Sequence, residues 1–546
     1  MSDKKYKCPI CETNKSRIVK YEKKYFDEGQ NKCILHCDKT EKNSWYKIND
    51  IEKKWNEEKV KFFWWCIQEE INYIFEHNHD KDNTKIDSIN YKQIVFPKHE
   101  KNFTYDPVSH NLCDMATNFY GFVSYEEIVH EQKVGRNDLN SIIENLYITF
   151  NTCVFLDKIN FKRYSLKKGI YFDDCTFHDN VVLGKKNEMR LSFISCNFMC
   201  TNLNFSYATF HRKIEIFDCK EINKINFKES TFNGKVKIQF CAIKNDSDFY
   251  NTKFNELADF YQTEFNKVIF ERTDFNNIAV FSESTFLDDV DFKYTKFIKK
   301  SIFRDTVIKG TLNLRDTIFD DEANFLDISF DKKIKKDIFV KNRETARVIK
   351  NFFDTSNNII EANRFYKLEM EKREEELAGK INRQGEKIYD LKKEKNDKNI
   401  MEQIIFLLHK YSSNHSQNWL LAFFYIYILG IVGALITFIF KPNEFGTIVN
   451  FNYDIYIGIL LFSFVNYYFY LVFSKKINFY MILSPFFLLI YIFITKDFFL
   501  TQVASIINPF SLTQGNITLG ELIFKVIITY FIYQFVVSVR QNTRRK

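Results

Sequence analysis

Large apolar residues recur along the middle of the chain with a step that suits neither a helix nor an ordinary strand. Between Phe150 and Phe330 the repeated unit is an aromatic residue, two variable residues, a small residue, one variable residue and a second Phe, as in FNTCVF from Phe150 and FSESTF from Phe281. Side chains on one face recur about every 3.6 residues in a helix and every second residue in a strand. A fixed short repeat instead predicts a solenoid, in which each unit buries its apolar side against the next.

The Phe residues are expected to form the buried rungs of this solenoid, because stacked aromatic rings remove much apolar surface from water. The small residue two places before each second Phe is expected to share the crowded interior. These small residues are Cys153, Cys175, Cys196, Ala208, Ser230, Thr252, Thr263, Thr273, Ser284 and Thr295.

This repeat resembles the pentapeptide-repeat family, in the variant whose Phe spacing alternates between five and six residues. The resemblance implies a right-handed, four-sided β-helix (a quadrilateral solenoid), and residues 150–330 would then form roughly eight coils stacked at the inter-strand spacing of about 4.8 Å. The repeat weakens at residues 212–224 and 238–248, where we expect irregular loops.

The C-terminal part of the chain is apolar enough to enter a membrane. Four runs approach the ~20 residues that cross a bilayer, which predicts an all-α transmembrane domain of four helices. The runs are Trp419–Phe440, Ile455–Phe473, Ile477–Thr495 and approximately Leu519–Val539. Lys and Arg concentrate in the loop after the second run and at the C-terminus, and cytoplasmic loops carry this excess, so both termini are predicted to be cytoplasmic and the protein integral to the inner membrane.

Two neighbouring segments refine the membrane prediction. Residues 401–411 are apolar enough to lie at the inner membrane surface before the first span. Residues 498–515 have the order of a re-entrant pore loop, although their TQGN sequence is a poor match to a selectivity filter. An ordinary extracytoplasmic loop is the alternative for this segment.

The N-terminus carries two close pairs of metal-binding residue types. Cys8 and Cys11 are separated by two residues, and a second cluster follows after a loop. This spacing is typical of two knuckles that hold one tetrahedral ion, and it predicts a structural zinc site in a zinc-ribbon-like head. Cys8, Cys11, Cys33 and Cys37 are the preferred ligands, and His36 is the alternative fourth ligand because Cys33 and His36 repeat the tighter spacing. A small hairpin with idle cysteines is the other interpretation.

The chain is therefore expected to be multidomain, and its 546 residues leave room for this. The predicted domains are a zinc-ribbon-like head (1–44), a helical or mixed adaptor (45–149), the pentapeptide-repeat β-helix (150–330), capping helices broken at 355–358 (331–379), a charged connector with the interfacial segment (380–418), and the transmembrane domain (419–546).

Charge and motifs exclude several classes of function. The net charge is +8, but residues 150–330 hold 26 acidic and 26 basic residues, which argues against mimicry of DNA and against nucleic-acid binding. The chain lacks a phosphate-binding Gly loop, a GxSxG elbow and an HExxH motif, so we predict that it is not an enzyme.

In its order of segments the chain resembles bacterial membrane-anchored pentapeptide-repeat proteins, a resemblance that implies an architecture but no settled activity. Two functions remain. The first is a membrane-anchored cytoplasmic scaffold that displays the repeat rod to a protein partner. The second is a membrane effector or ion-conducting pore gated by the cytoplasmic domains. Membrane lipids and an unidentified protein are the expected partners, and a pore would need several copies of the chain.

Overall fold

The computed structural model describes residues 6–14, 26–49, 52–60, 62–64, 66–67, 88–97, 104–105, 112–113, 117–118, 122–123, 147–161, 167–183, 186–199, 202–330, 340–387, 399–440, 505–508 and 519–543. The chain divides into two compact units, Met1–Thr345 and Ala346–Lys546.

The first unit is dominated by a β-solenoid with four faces, each built from short parallel strands that successive coils contribute. Face A is the longest and has ten strands. They are Ser88–Lys92, Tyr147–Asn151, Gly169–Asp173, Arg190–Ile194, Ile214–Phe217, Val236–Gln239, Ala258–Asp259, Ala279–Val280, Ser301–Ile302 and Ala323–Asn324.

Face B consists of two ladders. The first contains Val95–Phe96, Val154–Phe155, Thr176–Phe177 and Asn197–Phe198, and the second contains Ala242–Ile243, Glu264–Phe265, Thr285–Phe286, Val307–Ile308 and Ser329–Phe330. Two isolated parallel bridges, Asn197 with Glu221 and Ile222 with Ile243, connect them across one coil. Face B therefore continues past the gap between its ladders.

Faces C and D complete each coil. Face C has the strands Ile159–Phe161, Val181–Leu183, Asn202–Asn204, Lys224–Asn226, Ser247–Asp248, Val268–Ile269, Val290–Asp291 and Leu312–Asn313. Face D has Lys186–Asn187, Thr209–Phe210, Thr231–Phe232, Lys253–Phe254, Asp274–Phe275, Lys296–Phe297 and Ile318–Phe319. The eight strands of face C agree with the predicted number of about eight coils, whereas the right-handed winding stays a prediction.

The interior is a set of aromatic stacks, as the repeat predicted. Phe270 lies over Phe292 with ring centroids 4.9 Å apart and ring planes 3° apart, and Phe275 lies over Phe297 at 4.9 Å and 1°. All four rings are fully buried. Each such pair contributes about 0.5–1.5 kcal/mol beyond the area it buries, so the stacks stabilise every interface between coils.

Two expectations about the ends and gaps of the repeat were wrong. Residues 212–224 and 238–248 are not irregular loops but regular coils, in which Ile214–Phe217 pairs in register with Val236–Gln239. Ile216 and Ile238 are fully buried at inward positions that Phe takes in other coils, because a branched aliphatic side chain also fills the interior. The solenoid also begins earlier than residue 150, since Ser88–Lys92 pairs with Tyr147–Asn151 and Tyr91 stacks on Phe150 at 5.2 Å.

The last coil is covered by the chain that follows it. Val340 forms a parallel bridge with Leu312 of face C, and the amide of Leu314 donates to Thr345 Oγ1 at 2.8 Å. The side-chain amide of Asn342 donates to Asn313 Oδ1 at 2.7 Å. These contacts satisfy part of an edge that the next coil would otherwise pair, which is the role that we predicted for a cap.

The head (1–44) and the adaptor (45–149) contain the remaining strands, which form antiparallel pairs. They are Phe26–Asp27 with Lys32–Cys33, Tyr46–Asn49 with Glu52–Trp55, Thr104–Tyr105 with Leu112–Cys113, and Thr117–Asn118 with Phe122–Val123. The head also has one short helix, α1 (Pro9–Asn14). Residues 57–60, 62–64 and 66–67 are helical and lie within the adaptor (45–149), which we predicted to be helical or mixed.

Helices form the second unit, and the first of them begins in the first unit. They are α2 (Arg343–Thr355), α3 (Ile359–Leu377), α4 (Asn399–Ser413), α5 (Trp419–Phe440) and α6 (Leu519–Thr543). The break between α2 and α3 falls where the sequence predicted it, and the side chain of Asn358 caps α3 by accepting from the Glu361 amide.

The structure supports one candidate membrane helix, not four. Within the described residues, Leu519–Gln541 is the only helix long and apolar enough to cross a bilayer, and Trp419–Gly433 is a shorter apolar stretch of α5. The predicted spans Ile455–Phe473 and Ile477–Thr495, and all but residues 505–508 of the predicted pore loop, lie outside the described residues. One such helix is weak support for membrane anchoring.

Candidate metal centre

A cluster of three thiols and one imidazole lies in the head. The ligand atoms of Cys8, Cys11, Cys33 and His36 all lie within 4.8 Å of one another. His36 Nδ1 is 3.0 Å from Cys33 Sγ, 3.3 Å from Cys11 Sγ and 3.7 Å from Cys8 Sγ. One nitrogen therefore faces all three sulfur atoms.

Local structure places these side chains. Cys8 precedes α1 and Cys11 lies in its first turn, where the Glu12 amide donates to the Cys8 carbonyl at 3.1 Å. Cys33 ends a strand and is followed by a tight turn, in which the amides of His36 and Cys37 both donate to the Cys33 carbonyl, at 3.1 and 2.9 Å. The two close pairs of the sequence thus become one turn of helix and one tight turn.

Cys37, which we preferred as the fourth ligand, is not part of the cluster. Its sulfur is buried and lies 3.7 Å from the Ile34 carbonyl instead. The turn that begins at Cys33 aims the side chain three residues on, His36, at the other three ligands. The spacing of Cys33 and His36, which repeats that of Cys8 and Cys11, was the sequence signal for this alternative.

The second nitrogen of His36 joins the head to the solenoid. His36 Nε2 lies 3.2 Å from the carbonyl of Lys92, the last residue of the first face A strand. Since a carbonyl only accepts, Nε2 donates a proton to it, and Nδ1 is the nitrogen that faces the thiols and is available to a metal ion. Such a second contact fixes the orientation of an imidazole that binds a metal. The sequence alone gave no sign of Lys92, because its contact with His36 joins residues that are 56 positions apart.

The electrostatics of the cluster favour a cation among the sulfurs. Hydrogen bonds from the Cys11 and Cys33 thiols lower the pKa of Cys8, while hydrogen bonds to Cys33 and Cys8 raise the pKa of Cys11. Burial opposes a charge on His36, but its hydrogen bonds to Cys33 and Cys8 outweigh this and raise its pKa to about 9. Thiolate charge concentrated in this way needs a proton or a metal ion to balance it.

The donor set fits a metal ion. Thiolate sulfur and imidazole nitrogen are the donors that structural zinc sites use, and four protein ligands close the coordination sphere to substrate. Cys8, Cys11 and His36 are nearly inaccessible to solvent. The residues are thus suited to a structural ion rather than to a catalytic one.

The head and the adaptor also cover the first coil, the head with a backbone contact and the adaptor with aromatic ones. The amide of Val95 in the first face B strand donates to the Leu35 carbonyl at 3.1 Å. Phe63 lies edge-on to Phe96 at 5.8 Å, and Trp64 stacks on the same ring at 6.1 Å. The cluster therefore stabilises a segment that closes the N-terminal end of the aromatic stacks.

Comparison with known proteins agrees with the repeat architecture. Residues 270–318 match the family model described as pentapeptide repeats (9 copies). The described coils form a pentapeptide-repeat β-solenoid. The match covers less than a tenth of the chain, so it says nothing of the head or of the C-terminal helices. No curated protein and no solved structure shows detectable similarity to the chain.

Proposed function

We propose that the protein is a membrane-anchored scaffold: a stiff pentapeptide-repeat rod, closed at its N-terminal end by a zinc-stabilised head, that displays its surface to a protein partner at the cytoplasmic side of the inner membrane. The observation that carries the proposal is the unbroken register of face A, whose ten strands pair in parallel from Ser88 to Asn324. Such a rod can hold surface residues of distant coils in fixed relative positions.

The ion in the head is proposed to be zinc. The three thiols and the imidazole of Cys8, Cys11, Cys33 and His36 would hold it, and it would supply folding energy to the small head. Its role in this proposal is structural, and the protein is proposed not to be an enzyme.

The membrane part of the proposal retains four spans with both termini in the cytoplasm. Support comes from α6, from the apolar start of α5 and from the two predicted spans between them in the sequence. The helix α4 fits a position at the membrane surface, because it exposes Met401, Ile405 and Leu408 to between 54 and 68%. Membrane lipids would cover these side chains.

A second candidate function is a membrane effector or gated pore, and the polar face of α6 favours it. Gln534 and Ser538, one turn apart, are 3% and 0% exposed, and Gln534 Oε1 accepts a hydrogen bond from Ser413 at 3.0 Å. Polar side chains inside a membrane segment are expensive and are typical of functional pathways. A pore would need several copies around one axis.

The experiment that separates the two functions uses the full-length protein in liposomes that contain a potassium-sensitive dye. The scaffold predicts no flux above that of protein-free liposomes, with or without a chelator that removes the metal ion. Flux that rises with the amount of protein would contradict the scaffold and favour the pore. In parallel, the scaffold predicts that a cellular partner crosslinks to the wild-type rod. This crosslink should be lost in Phe270→Asp, which disrupts the aromatic stacks.

A further inference from the structure

One edge of the solenoid, where face D turns into face A, collects cations from successive coils. Gly169 pairs with Arg190, and Leu191 pairs with Ile214, which in turn pairs with Val236. The residues directly before Leu191, Ile214 and Val236 therefore lie in one column along this edge. We call this column and its neighbours the basic stripe. It consists of Lys168, Arg190, Arg212, Lys213 and Lys235.

Most of these charges are not neutralised by the protein itself. Lys213 forms an ion pair with Glu215 at 2.6 Å. Among the residues that the structure describes, Arg190, Arg212 and Lys235 have no carboxylate within ion-pair distance, and all three are exposed. Three uncompensated cations thus lie in three consecutive coils.

The stripe belongs to a segregation of charge that the balanced total conceals. Residues 150–250 contain 16 basic and 11 acidic residues, whereas residues 251–330 contain 10 basic and 15 acidic residues. On the same edge, the last coil carries Asp320, Asp321 and Glu322, and Glu322 forms an ion pair at 3.8 Å with Lys300 of the coil before it, so the cation there is neutralised. The N-terminal half of the rod is therefore the half suited to an anionic partner.

We propose that the basic stripe is the docking surface of the rod and that it binds the acidic face of an α-helix in a protein partner. The spacing supports a helix: one face of a helix presents a side chain about every 5.4 Å, and the coils present cations about every 4.8 Å. Over three coils the helix spacing and the coil spacing differ by so little that flexible Lys, Arg and Glu side chains can still pair. This inference rests on the proposed scaffold function and names the chemistry of its partner.

The acids near the stripe favour a protein over a polyphosphate. Glu188 precedes Arg190 by two residues, and Glu215 pairs with Ser192 and Lys237 on face A, so these acids flank the column of cations, and a uniformly negative nucleic acid or lipid surface would meet repulsion there. A helix can place a Lys opposite each of these two positions. Charge complementarity of this kind gives specificity and fast association more than raw affinity.

The test measures binding of two helical probe peptides to the full-length protein in non-ionic detergent at low salt. Both peptides have 18 residues and the same Ala, Glu and Lys content, but one carries all its Glu on one face and the other distributes them around the helix. We expect the one-faced peptide to bind about tenfold more tightly than the distributed one and to weaken as salt is added. Equal binding of the two peptides would overturn the proposal.

Matched charge reversals locate the site. The triple variant R190E/R212E/K235E should bind the one-faced peptide about tenfold more weakly than wild type, and K299E/K300E/R304E, with the same change in net charge, within about twofold of wild type. Equal losses in both variants would show a general charge effect and overturn the proposal. If the first variant melts early, R190Q/R212Q/K235Q replaces it, with the same expectation of weaker binding.

Two further probes test other occupants. The first probe is a 20-nucleotide single-stranded DNA, and the second is phosphatidylglycerol vesicles added to a detergent-free preparation. If either binds more tightly than the one-faced peptide, the stripe belongs to that ligand and the proposal of a helical partner is overturned. Failure of the basic stripe can be distinguished from failure of the scaffold function. If crosslinking to a partner persists in R190E/R212E/K235E, the stripe is not the docking surface although the scaffold function stands.

Discussion

The two nitrogens of His36 face different parts of the molecule. Nδ1 lies within 3.7 Å of three sulfur atoms, and Nε2 lies 3.2 Å from the carbonyl of Lys92 in the first coil. One side chain thus links the metal cluster to the end of the solenoid. Loss of the ion should therefore destabilise the first coil as well as the head.

Metal content should distinguish His36 from Cys37. We expect wild-type protein to hold one zinc ion and His36→Ala to lose most of it, because a site with three ligands binds far more weakly. Cys37→Ser is the matched control, since its sulfur contacts the Ile34 carbonyl and not the cluster, and it should keep the ion. Elemental analysis of purified full-length protein measures this. Loss of zinc in Cys37→Ser with retention in His36→Ala would show that the cluster is assigned incorrectly.

A second pair of histidines lies in a strained turn between α4 and α5. Asn414, His415 and Ser416 have φ values of 49°, 55° and 64°, a left-handed conformation that costs about 1–2 kcal/mol for each non-Gly residue. His415 is 2% exposed, and its Nδ1 lies 3.2 Å from that of His409. Buried polar contacts must hold this turn in place.

Acid should therefore loosen the turn. Burial lowers the pKa of His415 to about 4, helped by the charge of His409, while Lys410 also lowers it and Glu374 raises it. Because the unfolded chain binds the proton more readily than the folded one, stability falls as the pH drops from about 6.5 to about 4, by about 2 kcal/mol at pH 5.

Hydrogen exchange of residues 412–418, corrected for the intrinsic pH dependence, measures this opening. The wild-type turn should open more at pH 5 than at pH 7, and His415→Gln should remove most of the difference. His211→Gln, on the exposed surface of the solenoid, should leave it unchanged. Identical protection at the two pH values in wild type would refute the prediction.

At the scale of the coil, the corners that hold an inward Ser or Thr combine strain with a hydrogen bond. A non-Gly residue with positive φ precedes each inward small residue, as Arg272 with φ 58° precedes Thr273. Thr273 Oγ1 donates to the carbonyl of Phe249 in the preceding coil at 2.7 Å. Ser284 and Thr295 make the same bond to Phe260 and Phe270, at 2.7 and 2.6 Å. The small position is therefore a hydrogen-bond donor as well as a space filler.

The Cys residues of the repeat occupy one column of these corners. Cys175 Sγ lies 3.3 Å from the Phe150 carbonyl and Cys196 Sγ lies 3.5 Å from that of Phe172. A thiol is a weaker donor than a hydroxyl. The cysteines in this column pack as small buried groups with a weak version of the same bond, which accounts for their regular spacing without a redox role.

Thr273 provides the test of this hydrogen bond. Thr273→Val keeps the shape but removes the hydroxyl donor from the Phe249 carbonyl, which keeps only the Thr252 amide at 3.2 Å, and it should lower the free energy of unfolding by about 0.5–1.5 kcal/mol. Thr273→Ser keeps the hydroxyl and should cost clearly less. Thermal unfolding of the full-length protein compares them. A larger loss in Thr273→Ser than in Thr273→Val would mean that the methyl group, and not the hydroxyl, matters.

At the scale of the whole chain, the solenoid and the helical unit differ in where their apolar side chains lie. The solenoid buries Phe and Ile, whereas α6 exposes apolar side chains such as Ile523 at 53% and Val526 at 58%. A soluble protein rarely leaves so much apolar surface on one helix. A bilayer is the environment in which this surface would be covered.

Charge substitutions in α6 test the anchor. Ile523→Arg with Ile527→Arg places two cations within the apolar stretch, which costs about 2.5–3.5 kcal/mol each near a bilayer centre. With α6 unable to cross, we expect the C-terminus of this variant to stay on the outer side of the membrane, where a C-terminal tag is labelled from outside intact cells, while the tag of wild type is not. Leu519→Arg, at the end of the helix, can reach the interface and should behave as wild type. An unlabelled tag in the double variant would show that α6 does not cross the bilayer.

The sequence by itself determined the solenoid and the metal-binding residue types, because both depend on local repetition. Phe at every fifth or sixth position can be buried only by stacking, and two close pairs of Cys and His residues point to one ion. The break between the two helices after the repeat, at 356–358, was equally local. Ile216 and Ile238 were misread because the pattern was sought in Phe alone, although any large apolar side chain fills the same place.

The tertiary structure decided what depends on register and on turn direction. The first coil, Ser88–Phe96, is separated from the repeat by some fifty residues, and only its pairing with Tyr147–Phe155 shows that it belongs to the solenoid. The choice of His36 over Cys37 follows from the direction in which a turn points its side chains. The basic stripe exists because residues about 22 positions apart meet on one edge, so a charge that is balanced along the chain becomes separated in space.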